Sequence, residues 1–142
     1  MKEKYFNQFI HGVQQHLVDA NSFEEIIMNI SRYDSGPFFS KLVVTDTTVY
    51  TAGLVADDLS VGVREQTRQV LKAIGDYLSQ GGTDKSKLLT ANVWLKDIGD
   101  FSQFNEAWLE WIDTANLPAR ATVEAKMGNP KVLVEIMVTA SR

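Results

Sequence analysis

The chain has 142 residues, 44% of them hydrophobic and 23% charged, which suits one globular domain with its own core and excludes a disordered chain. It contains no cysteine, so a disulfide framework, thiolate metal ligands and a cysteine nucleophile are all ruled out. The net charge is −4 and the densest basic run is Lys85-Ser86-Lys87, which speaks against a nucleic-acid partner.

Residues 4–20 read as a helix, because Phe6, Phe9, Ile10, Val13 and Leu17 fall at helical spacing. This beginning lacks the continuous apolar stretch of a signal peptide. Nowhere does the chain approach the ~20 apolar residues of a membrane span, so a cytoplasmic protein without membrane contact is expected. Ser22-Phe23-Glu24-Glu25 satisfies the capping-box pattern and opens either another helical turn or an extended stretch over 26–33. Asp34-Ser35-Gly36-Pro37 is a turn signal. The β-rich runs 38–44 and 48–52, separated by Thr45-Asp46-Thr47, read as a hairpin.

The clearest helix follows, with Val63, Thr67, Val70, Leu71, Ile74 and Leu78 on one stripe and Gly81-Gly82 closing it. Residues 88–95 form a strand. Asp100 then caps a second helix with the stripe Phe101, Phe104, Trp108, Trp111 and Ile112. Runs 120–127 and 131–139 read as two further strands joined by a turn at Gly128-Asn129-Pro130. The fold class expected is α+β, a mixed sheet with two amphipathic helices on one face.

Strand alternation splits each run into two sets. Ala121, Val123, Ala125 and Met127 suit helix packing, as do Leu89, Ala91, Val93 and Leu95, and Val132, Val134, Ile136 and Val138. Arg120, Thr122, Glu135, Asn92 and Trp94 then share the second face with Leu133 and Met137. That face is too apolar to stand alone in water and too polar for a core, which predicts contact with other copies of the chain.

Among candidate site residues, Arg120 stands at a loop-to-strand junction, and its planar fork suits a small carboxylate. Glu135 lies mid-strand between apolar neighbours and wants a partner. His11 and His16 are five apart and do not converge on a metal. No Ser/His/Asp set, Gly-rich phosphate loop or metal cluster is legible, and Trp108 and Trp111 read as core.

Pro118-Ala119-Arg120-Ala121-Thr122-Val123-Glu124 followed by Val134-Glu135-Ile136 resembles the C-terminal signature of the RidA (YjgF) family. Gly36-Pro37, Thr48-Val49-Tyr50 with Gly53, and Phe101-Ser102-Gln103-Phe104-Asn105 also fall where that pattern expects them. The resemblance divides the chain into an N-terminal helical extension, 1–34, and a RidA-like domain, 35–142. It implies a homotrimer with a chorismate-mutase-like fold and sites at subunit clefts, where reactive 2-imino or enamine acids are hydrolysed to 2-keto acids and ammonia without metal or cofactor. In it Arg120 clamps the substrate carboxylate, Glu135 positions the attacking water, and Asn105 stands near the site. Three departures touch the substrate pocket: Phe39 falls in the stretch where the family carries a tyrosine, Ala52 where it carries a serine, and Thr122 where many members carry a cysteine. A non-catalytic protein that binds a small carboxylate in the same cleft is the alternative; an RNA-directed inhibitor or nuclease is disfavoured by the acidic charge. Parity places Arg120 and Glu135 on one side of the sheet, with the last two strands paired around an even-numbered turn at 127–130.

Overall fold

A computed structural model describes residues 28–142 of the protein. The helix expected at 4–20, the capping box at Ser22 and both histidines lie outside the described residues. Six strands and two helices follow: β1 (Ser31–Ser35), β2 (Ser40–Val44), β3 (Thr48–Thr51), α1 (Val63–Gln80), β4 (Leu88–Leu95), α2 (Phe101–Trp111), β5 (Ala119–Glu124) and β6 (Val134–Ser141). The extended reading therefore holds where the described chain enters β1. No helix among the described residues is long and apolar enough to cross a membrane.

The strands form one mixed sheet in the order β1-β2-β3-β6-β4-β5, with only the β4–β5 pair parallel. The parallel pair needs a crossover, and α2 supplies it. The expected hairpin of the last two strands does not form. β6 instead inserts between β3 and β4, and β5 is left at the edge. The physical reason lies in composition: Val134, Ile136, Val138 and Ala140 are all fully buried, so the strand with the most regular apolar alternation takes a central place. Residues 125–133 make the return connection that this requires.

Both helices cover one face, as expected. Val70, Leu71, Ile74 and Leu78 of α1 and Phe104 and Trp108 of α2 pack on Leu42, Val49, Val93, Leu95, Val134, Ile136 and Val138. α1 closes at Gly81, where a Cβ would stand 2.9 Å from both methyls of Val49, and ends as the chain turns through Gly82 at φ 77°. Asp100 occupies the N-cap position of α2 but makes no side-chain cap; Asp97, one turn earlier, accepts from the Gly99 amide at 2.8 Å. A register shift between Leu88 and Thr90 buries Leu88 and turns Leu89 outward, reversing the expected assignment of that pair.

The same register corrects the faces of β5. Arg120 pairs with Ala91 and Thr122 with Val93, so both share the helix-covered side; Ala121 and Val123 accompany Asn92 and Trp94 on the other. Apolar content misled here because β5 is an edge strand, where burial by the helices fades and side chains no longer sort by hydrophobicity. The open face carries Val43, Tyr50, Met137, Glu135, Trp94 and Val123, and no described element covers it. Leu133 does not join it fully, since it packs partly against the core.

Candidate functional site

The residues expected to act together form two groups on opposite sides of the sheet. The first is built on β5 and α2. Arg120, the second residue of β5, projects toward α2, where its Nη2 donates to Asn105 Oδ1 at 2.9 Å. The guanidinium carbon lies 5.8, 5.2 and 5.0 Å from the ring centroids of Phe101, Phe104 and Trp108, all from α2. These rings hold the cation through their faces and leave its in-plane hydrogens available. Burial pushes the Arg120 pKa below its ordinary value, and no carboxylate among the described residues pairs with it. An arginine stays protonated even so. The site is a fixed, half-desolvated cation without an anion.

An open cleft of about 340 Å³ lies before it, lined by Asn105, Trp108, Leu109, Leu117, Pro118 and Arg120. Thr122 shares Arg120's side of β5, but its hydroxyl is enclosed with no hydrogen-bond partner and does not line this cleft.

The second group is built on β6 and the segment after β3. Glu135 pairs with Trp94 of β4 and so points to the open face. A bridge between Leu54 and Ile136 holds the backbone of Gly53 beside it. The Glu135 side chain occupies the space that a side chain at position 53 would take, with its Cδ only 2.9 Å from where a Cβ would stand. The Ala52 amide donates to the Lys41 carbonyl at 2.9 Å, which places Ala52 at the same end of the sheet. Phe39 lies in the turn that enters β2 there, beside Phe38, which is 91% exposed. Glu135 wants a partner but forms no ion pair among the described residues.

Arg120, Asn105 and the three rings of α2 thus make one group facing the cleft, while Glu135 and Gly53, with Ala52 and Phe39 at the same end of the sheet, make a second corner. Within one chain they do not meet. Two features escaped the sequence reading: the cation–π contacts of Arg120 with Phe101 and Trp108, and the leucines that flank the cleft. The Phe101-Phe104-Trp108 spacing was visible, but a stripe of rings reads as core until a cation is placed on it.

A profile of the Endoribonuclease L-PSP family matches residues 29–142. A RutC family protein of Haemophilus ducreyi is 41% identical over 112 residues, covering 79% of this chain and 96% of that protein. The human 2-iminobutanoate/2-iminopropanoate deaminase is 35% identical over 95 residues, covering 63% of this chain and 68% of that protein. Among solved structures, a member of the YjgF protein family from Neisseria meningitidis is similar with a TM-score of 0.78 at 34% identity, covering 81% of this chain and 96% of that one.

Proposed function

The chain belongs to the RidA (YjgF) family, whose profile carries the description Endoribonuclease L-PSP, and from that premise we propose that it hydrolyses 2-imino acids to 2-keto acids and ammonia. The observation that carries this reading is the guanidinium of Arg120, fixed by Asn105 and three rings, without an anion and facing an open cleft. A planar fork so held binds the two oxygens of a carboxylate in one orientation. The carbon of the adjacent C=N bond is then presented in a fixed place, which is most of what this reaction needs.

Water adds to that carbon and loses a proton, for which Glu135 is the acceptor. Glu135 returns that proton to the nitrogen as its π bond breaks, and the carbinolamine collapses to a carbonyl as its hydroxyl proton passes to the departing nitrogen, which leaves as ammonia. The scheme assigns no role to a metal or cofactor. Because Arg120 and Glu135 lie on opposite sides of one sheet, the carboxylate receptor of one copy must be completed by the Glu135 corner of another. The uncovered sheet face, with Trp94, Met137 and Val123, is the surface on which copies would meet. Sedimentation at micromolar concentration should give a mass near three chains, as the family resemblance implies; a clean monomer sinks the shared site. Ammonia release from freshly generated 2-iminobutanoate, faster than in buffer alone, is the direct test of the activity.

Ala52 and Phe39 leave the Glu135 corner without hydroxyls, and this favours a second reading in which the cleft binds small carboxylates without turning them over. Binding of 2-oxobutanoate with no ammonia release would decide for it.

Gly53→Ala probes the corner separately. The added methyl displaces a flexible carboxylate end and not backbone, so the fold should survive. Turnover should fall roughly ten- to hundredfold, less than the roughly 10²–10⁴-fold that losing a general acid–base group outright costs, because the carboxylate is displaced and not removed. Affinity for 2-oxobutanoate, set by Arg120, should be unchanged. Wild-type turnover in this variant would show that the observed position of Glu135 is not the working one.

A further inference from the structure

The cleft beside Arg120 holds one charged side chain, the arginine itself, and its walls are Trp108, Leu109, Leu117 and Pro118. Leu109 is 61% and Leu117 63% exposed, from two different elements. Neither is explained by the core. The buried residues of α2 are Phe104, Ala107 and Trp108, and Leu109 stands one residue beyond that stripe, turned toward the cleft. Leu117 precedes Pro118, which restricts it to extended backbone and so holds it at the mouth, three residues before the arginine. Asn105, the one neutral polar side chain of the lining, has its carbonyl oxygen engaged by Arg120.

We propose that Leu109 and Leu117 are specificity-determining residues that select 2-imino acids with an apolar side chain of several carbons over the smallest and the charged ones. The inference rests on Arg120 as the carboxylate clamp. A carboxylate seated on the free edge of the guanidinium puts the rest of the molecule between the two leucines. Each methylene buried there strengthens binding by about fourfold. A second carboxylate would lose its hydration against mainly apolar walls, with no second cation in the lining to receive it.

The test uses stable 2-keto acids as ligands for the full chain in titration calorimetry: pyruvate, 2-oxobutanoate, 4-methyl-2-oxopentanoate and 2-oxoglutarate. In the wild type, 4-methyl-2-oxopentanoate should bind at least about tenfold more tightly than pyruvate, allowing for incomplete burial of its three added carbons. 2-Oxoglutarate should bind most weakly. The double substitution Leu109→Ala with Leu117→Ala should remove most of the gain while leaving pyruvate within about twofold, since the lost contacts are to the chain and not the carboxylate. Equal wild-type affinity along the series, tightest binding of 2-oxoglutarate, or a gain that survives the double substitution overturns the selectivity. If pyruvate still binds in an Arg120-dependent way in those cases, the clamp stands. If no keto acid binds, or binding ignores Arg120→Ala, the clamp fails and the selectivity falls with it. The wild-type series decides the matter alone should the double variant not assemble.

Discussion

Arg120→Ala is expected to lower 2-iminobutanoate turnover and 2-oxobutanoate affinity by about 30-fold to several thousand-fold, with the fold intact. Losing a charge-assisted pair in a desolvated site costs roughly 2–5 kcal/mol, and each 1.4 kcal/mol is a decade. The structure explains why the fold should tolerate the change. Arg120 stands on the edge strand; among the described residues it is paired to no carboxylate and its side chain hydrogen-bonds only Asn105, whose side chain remains free to meet water. What is lost internally is contact with Phe101, Phe104 and Trp108, worth about 0.5–2 kcal/mol as cation–π attraction. Arg120→Lys should recover little. An ammonium is a point charge that can neither stack flat on the rings nor offer a fork to both carboxylate oxygens. Titration of 2-oxobutanoate, ammonia release and sedimentation on the same preparations separate loss of the clamp from loss of assembly. Turnover equal to wild type in a properly assembled Arg120→Ala protein would end the carboxylate-clamp mechanism.

Much of the body was legible because it depends on local pattern. The stripe of α1 is buried at every position read from its spacing, and the two-helix, one-face arrangement follows from the alternation of apolar runs. Arg120, Asn105 and Glu135 stand out through a short signature, and the structure gives Arg120 and Asn105 to each other. Pairing order was not legible, because insertion of β6 between β3 and β4 is decided by contacts far apart in sequence. That one error carried another. With β5 taken as the partner of β6, parity set Arg120 beside Glu135; with β4 between them, the same parity sets them on opposite sides. A site that looked complete within one chain becomes two halves that require a second copy. The Leu88/Leu89 exchange has a smaller cause of the same kind, a bulge that shifts the alternation by one residue.

Gln66 was missed altogether, since a glutamine on the first turn of an amphipathic helix reads as solvent-facing. It is 0% exposed. Its Nε2 donates to the carbonyls of Val61 and Lys131, both at 3.1 Å, with Leu59 O further off at 3.4 Å, and its Oε1 accepts from the Leu133 amide at 3.0 Å. One amide therefore ties the loop before α1 to the connection that leads into β6, two residues short of Glu135. Gln66→Met keeps the length and approximate volume but leaves that amide and those carbonyls without their partner. At about 1–3 kcal/mol for each buried group left unsatisfied, partly relieved by water, the expected loss is roughly 3–5 kcal/mol. For a body of this size that lowers Tm by roughly 10–15 °C. Gln69→Ala is the control: Gln69 accepts one exposed bond from the Asp58 amide at 3.0 Å, and its loss should cost about 1 kcal/mol or less. Thermal and urea denaturation of the two variants beside wild type measure the contrast. Equal melting of Gln66→Met and wild type would mean that solvent reaches these groups and that the buried amide holds nothing. A large loss of stability, with turnover falling further than keto-acid affinity, would place Gln66 beneath Glu135 as the residue that keeps its strand in position.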